Sequence, residues 1–186
     1  MHPCFFGYGS LVNRDTHVYE NAHRARLKGW RRAWVKTEGR DLAYLSVLPD
    51  AHTTIEGLIA EVPGGDWAAL DAREHGYARL LSGSAVETDL DPRPDVSHYS
   101  VPPQTHVTTG PHGILLSYLD VVVQGYLREF GAAGVSRFFD TTDGWHTPVR
   151  NDRAAPHYPR AQRLSTQETA LVDQHLALRG TPVTSL

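Results

Sequence analysis

"CFFGYGSLVN", residues 4–13, starts apolar, sets two glycines around a tyrosine and ends on a serine and its neighbours. It reads as a short strand running into a glycine-loosened turn. Three chemistries use such a junction, and each makes a further demand. A dinucleotide turn needs a third glycine where Val12 stands, followed by an alternating βαβ pattern that does not appear. A phosphate loop would continue into Gly-Lys-Ser/Thr. A nucleophile elbow carries glycine one spacer away on both sides of its serine; Ser10 is not so flanked, and none of the eleven histidines is marked out as its base. What remains is main-chain chemistry: Gly7 and Gly9 let the backbone approach a ligand, and successive amides after a strand form a nest for a carboxylate or an oxyanion. A plain strand-to-loop turn fits the same residues.

Outward from the turn, "RARLKGWRRAWVKT" (24–37), "LAYLSVL" (42–48) and "TIEGLIAEV" (54–62) read as strands, separated by the turn residues "EGRD" and "PDAHT". Neither face of the last is cleanly polar, which predicts a well-buried strand. "PGGDWAALDAREHGY" (63–77) predicts a helix of about two turns, with Asp66 as N-cap, helix formers through Glu74 and Gly76 as the stop. Strand character resumes in "YARLLSGSAVETDL" (77–90), and the proline-rich "DPRPDVSHYSVPPQTHV" (91–107) reads as an irregular connection with a short strand or two.

The period then changes. In "SYLDVVVQGYLREF" (117–130), Leu119, Val122, Val123, Tyr126, Leu127 and Phe130 share one stripe, which predicts an amphipathic helix packed on the strands. Ser117 and Asp120 read as its capping box, with Leu116 stapled onto Val121. A second helical stretch is expected in "GVSRFFDTT" (134–142) and a terminal one in "TQETALVDQHLAL" (166–178). Strands first and helices after give an α+β class, a small mixed β-barrel with flanking helices.

Bulk properties narrow the function. A chain of 186 residues suits one domain, residues 1–186, with a helical, arginine-containing C-terminal extension from about 144. The single cysteine, Cys4, has no second cysteine to bridge to, so a reducing, cytoplasmic compartment is expected. No secretory signal and no run of about 18 apolar residues is seen, and a formal net charge of −3 gives no field for nucleic acid or an anionic membrane. The histidines lack zinc-ligand spacing, so no metal is expected. In residues 145–163, Arg150, Arg153, Arg160 and Arg163 face only Asp152; such a segment either lies over a site and holds a substrate carboxylate or is a solvated loop.

The remaining chemical feature is Glu74 in "LDAREHGYARL" (70–80), at the end of the short helix between Arg73 and His75. The negative end of a helix dipole disfavours a carboxylate, and a buried carboxyl held part-protonated serves as both acid and base. An exposed helical glutamate fits the same pattern.

Taken together, "FFGYGSLVN", "LKGWRRAW", "LDAREHGY" and "LSYLDVVVQGY" resemble, in order, the γ-glutamylcyclotransferase superfamily, which includes ChaC-like and AIG2-like proteins. The resemblance spans residues 4 to about 130. It implies that Tyr8, Gly9, Ser10 and Leu11 form the loop that holds a γ-glutamyl group largely through main-chain atoms, and that Glu74 is the acid/base. Tyr118 falls at the family's substrate-facing tyrosine, although Leu115-Leu116 replaces the family's Pro-Ser before it; Tyr77 lines the pocket or packs the turn. The implied reaction releases 5-oxoproline and a free amine from a small γ-glutamyl amine or dipeptide, without metal or organic cofactor. A non-catalytic small-ligand-binding protein on the same fold is the alternative. The run after "KGWRRAW" lacks the Asp-His-Arg-Gly-Thr stretch of the glutathione-specific ChaC enzymes, so glutathione is not implied as the substrate.

Overall fold

Apolar and β-branched runs separated by glycine, proline and aspartate make most of the first hundred residues extended, and the computed structural model, which describes residues 3–185, bears this out. In chain order the elements are β1 (Cys4–Gly7), β2 (His23–Val35), β3 (Tyr44–Glu61), α1 (Ala68–Arg73), β4 (Ala78–Leu81), β5 (Val86–Glu87), β6 (Val96–Ser100), β7 (Ile114–Leu115), α2 (Leu116–Asp140), β8 (Thr142–Asp143), β9 (Val149–Asn151), α3 (Thr166–Leu178) and β10 (Val183–Ser185). The main sheet runs β4-β6-β1-β3-β2-β5, with β8 also pairing on β2, and β10-β9-β7 form a small second sheet. The result is a curled half-barrel with a few helices, the mixed α+β architecture that the element order predicts.

Some connections differ from expectation. "LAYLSVL" and "TIEGLIAEV" are one strand, because β2 pairs along both; the register jumps between Lys28↔Thr54 and Trp30↔Pro49, so "PDAHT" supplies a bulge opposite Gly29 instead of a turn. The proline-rich connection contains, as expected, one short strand, β6, which is interior to the sheet, buried at all five positions and parallel to β1. The stripe helix and the "GVSRFFD" helix are joined, with the break between them marked by Gly131 at φ 67°.

The capping box at Ser117 does not form. Leu115 is the N-cap of α2, and the Ser117 amide and hydroxyl both donate to the Asp152 carboxylate, at 2.8 and 2.5 Å. Asp120, the expected partner, is clamped by Arg153, which donates to both its oxygens at 2.7 Å. Two acids from different elements thus replace a local cap, and they dock the 145–163 segment on the start of α2. Consequently α2 is buried on nearly every side from Leu116 to Tyr126, not along one stripe. At α1, Asp66 accepts from the Ala68 amide at 2.9 Å as a cap would, although Trp67 occupies the N-cap; the helix ends at Arg73, with Glu74 as C-cap. Among the described residues no helix is long and apolar enough to cross a membrane.

Strand alternation in β1 places the site. Phe6 faces the core shared with Leu58, Leu119, Val122 and Tyr126, whereas Phe5 faces the cluster of Leu11, Leu70 and Tyr99 beneath α1. Both rings are 1 % exposed, and truncating either to alanine is expected to cost about 3–5 kcal/mol. Because its two faces are committed to α1 and α2, β1 delivers the Tyr8–Leu11 turn between those helices.

Candidate functional site

The turn after β1 is a single 3₁₀ turn, Ser10–Val12. The Val12 and Asn13 amides return to the Gly9 and Ser10 carbonyls, each at 3.0 Å, while the leading amides of such a turn have no partner within it. Asn13 locks the turn's far end: its side-chain amide donates to the Val121 carbonyl and to Gln124, each at 3.0 Å.

Tyr8, Gly9, Ser10 and Leu11 line a narrow recess of about 30 Å³ together with Glu74, Tyr77 and Tyr118. The structure therefore gathers every sequence-predicted site residue around one space. Ser10, Leu45, Glu74, Tyr77 and Tyr118 also wall a larger chamber of about 420 Å³, whose rim carries Arg40, Tyr44, His75, Tyr158 and Arg160.

The residues contribute differently. The Tyr8 hydroxyl donates to the Tyr99 carbonyl at 2.8 Å, which makes its ring a brace under the turn. Leu11 lines the recess and also packs in the cluster beneath α1. Gly9 is required by contact: a Cβ there would meet the Tyr118 hydroxyl at 2.6 Å. Tyr118 is held edge-on between Trp34 and Tyr158, at 5.9 and 5.0 Å between centroids. Tyr77 donates to the Leu45 carbonyl at 3.0 Å, the same carbonyl that lies 3.4 Å from the Tyr8 hydroxyl.

Glu74 is the one carboxylate among these phenols. Its side chain is 18 % exposed and lies 3.3 Å from Arg73 Nε. Burial pushes its carboxyl above the usual carboxylate range, against the pull of Arg73 and Arg160. Burial first, and then neighbouring phenols and the Glu74 carboxylate, hold the Tyr8, Tyr77 and Tyr118 hydroxyls protonated well beyond their ordinary range. Because the Tyr8 and Tyr77 hydroxyls spend their protons on main-chain carbonyls, the recess sets the Tyr118 phenol beside a single proton acceptor of raised basicity.

Sequence reasoning missed the links between these parts. Arg73 donates to the Thr16 carbonyl at 3.1 Å as well as pairing with Glu74, and so ties α1 to the loop that follows the turn. The 145–163 arginines divide: Arg153 is spent on Asp120 and on Asp173, the latter at 2.8 Å, while Arg160 reaches the chamber. That division depends on where the backbone docks, which no local pattern encodes. Among the described residues no cluster of three or more His, Cys, Asp or Glu side chains comes together as metal ligands would.

No family model matches the sequence, and no curated protein matches it. Solved structures do match its backbone. A structure titled γ-glutamyl cyclotransferase superposes with a TM-score of 0.59 at 12 % identity, over 92 % of this chain and 98 % of that one. An uncharacterised human protein gives 0.57 at 13 %, over 91 % and 97 %. YkqA from Bacillus subtilis gives 0.55 at 20 %, over 77 % of this chain and 56 % of its own. With near-complete mutual coverage, the chain shares the fold of the structure titled γ-glutamyl cyclotransferase.

Proposed function

We propose that this chain is a γ-glutamylcyclotransferase-type enzyme, releasing 5-oxoproline and a free amine from a small γ-glutamyl amine or dipeptide. The observation that carries the proposal is the placement of Glu74 and the Tyr8–Leu11 turn on the walls of one recess. In this reading the turn grips the glutamyl group, and the substrate folds so that its α-amine meets its own γ-carbonyl. Glu74 takes a proton from the α-ammonium, the amine nitrogen bonds to the γ-carbon, and charge collects on the carbonyl oxygen, where main-chain amides and the Tyr118 phenol receive it. Collapse breaks the original amide bond while Glu74 returns the proton to the departing nitrogen, and the ring nitrogen sheds its second proton, so that the lactam leaves neutral and the amine leaves as its ammonium ion.

The leaving group occupies the larger chamber, whose arginines Arg40 and Arg160 outnumber its remaining acid, Asp41, once Arg73 and Glu74 are set against each other. A small, soluble γ-glutamyl compound as substrate, with no cofactor, fits the cytoplasmic setting expected from the single cysteine. The test is a panel of γ-glutamyl amines and dipeptides incubated with the protein and read by mass spectrometry for 5-oxoproline. Release from at least one member supports the proposal; thermal stabilisation by panel members with no product from any of them would favour a non-catalytic binding protein.

A further inference from the structure

Arg32 is 1 % exposed, and it lies behind the turn, away from the recess. A buried guanidinium normally finds a carboxylate. Here Glu56, whose main-chain carbonyl Arg32 touches, gives its carboxylate to Arg137 at 2.8 Å, and Arg32 instead spends its donors on neutral oxygens. Nε donates to the Tyr8 carbonyl at 3.2 Å, one terminal nitrogen to Thr141 Oγ1 at 2.7 Å, and the other to the Glu56 carbonyl at 2.5 Å and to the Tyr126 hydroxyl. Tyr126 stands 3.0 Å from the same Tyr8 carbonyl and 2.7 Å from that of Glu56; its single proton serves one of them. Burial pushes this phenol up to about 12, with Arg32 pulling the other way.

The Tyr8–Gly9 peptide is trans, so its carbonyl and its N–H point in opposite directions. Arg32 and Tyr126 hold the carbonyl on the core side, where Arg32 lines a separate small cavity with Arg26, Glu56 and Arg137. Gly9 lies on the recess, against the Tyr118 hydroxyl. We infer that Arg32 is a positioning residue: from behind the turn its charge fixes the Tyr8–Gly9 peptide with the Gly9 N–H aimed into the recess. The same charge polarises that peptide, so the Gly9 N–H becomes the strongest main-chain donor to an anionic ligand oxygen. A hydrogen bond to one end of a peptide strengthens the donor at its other end, and a cation does so more than a neutral group. The charge thus reaches the ligand through a peptide, without itself entering the site. The inference rests on the functional reading above only for the identity of that ligand.

The sequence offers a clean probe, since Tyr8–Gly9 is the one place where glycine follows tyrosine. Protein labelled with carbonyl-¹³C tyrosine and ¹⁵N glycine gives one carbonyl-to-amide NMR peak, which reports both atoms of this peptide. In Arg32→Met we expect the Tyr8 carbonyl carbon and the Gly9 amide proton both to move upfield while circular dichroism shows the fold retained. Affinity for 5-oxoproline and for γ-glutamyl-alanine should fall about tenfold or more. Arg32→Lys should fall between, and Tyr126→Phe should shift the peak in the same sense by less. Should Arg32→Met fail to fold, the Lys and Phe variants decide. An unmoved Gly9 amide proton in a folded variant overturns the inference, because an arginine that only packs the core would shift the Tyr8 carbonyl carbon it touches without reaching the N–H on the recess side. The peak of the ligand-free protein moves, or does not, whether or not γ-glutamyl compounds bind, which separates failure here from failure of the proposed reaction.

Discussion

The two ends of the cavity are built from opposite materials. At the inner end, a main-chain turn is braced on every side: the Tyr8 ring on Tyr99, Asn13 on α2, and the Tyr8 carbonyl on a buried arginine. At the outer end, Arg40 and Arg160 are exposed and come from two connecting segments far apart in sequence. A fixed inner end suits a part common to all substrates, whereas an exposed rim suits a part that varies. The recess would read the glutamyl group and the chamber would sort leaving groups.

The sharpest way to break this division is at Glu74, where Glu74→Gln is expected to cost about 10³-fold in kcat while leaving ligand-induced stabilisation in place. Turnover should also carry the residue's pKa. Glu74 must be ionised to accept the ammonium proton, so the rate should rise with pH through a value above the usual carboxylate range, and a pH–rate profile checks this. Stability runs the other way. A carboxyl with a raised folded-state pKa contributes stability that is complete below its unfolded value and lost as pH rises through the folded one. Glu74→Gln should therefore raise the melting temperature at neutral pH and lose that advantage in acid.

Next in size comes Gly9→Ala, which forces a methyl against the Tyr118 hydroxyl. Overpacking of this kind typically costs about 1–3 kcal/mol, and ligand binding should weaken with it. Pairing it with Tyr118→Phe should recover part of the loss, whereas strict additivity in the double-mutant cycle would mean that the two do not meet. The smallest effect is expected at the rim. Arg40→Gln and Arg160→Gln should change KM a few-fold, and more for a γ-glutamyl dipeptide with a free carboxylate than for an uncharged γ-glutamyl amine, because exposed charge contacts are worth about 0.2–1 kcal/mol. Equal effects on both substrates, or a large loss of kcat, would erase the contrast between the two ends.

How much of this the sequence disclosed follows the same division. Local signals placed β1, its turn, the short helix before Glu74 and the start of α2, because glycines and apolar periods act over a few residues. The continuity of β3 across "PDAHT" was hidden, since a proline and an aspartate look alike in a turn and in a bulge until the partner strand is known. Ser117 and Asp120 imitated a capping box, yet their partners Asp152 and Arg153 lie more than thirty residues downstream. The rim was illegible for the same reason: Arg160 differs from Arg153 only in what the fold sets beside it.

The most direct test follows wild type and Glu74→Gln side by side with the best γ-glutamyl compound of the panel, measuring thermal stabilisation and 5-oxoproline in the same samples. Wild type should be stabilised and form product, and the variant should be stabilised to a similar extent with product reduced about 10³-fold. Undiminished product from Glu74→Gln would contradict the assignment of the carboxylate as acid and base.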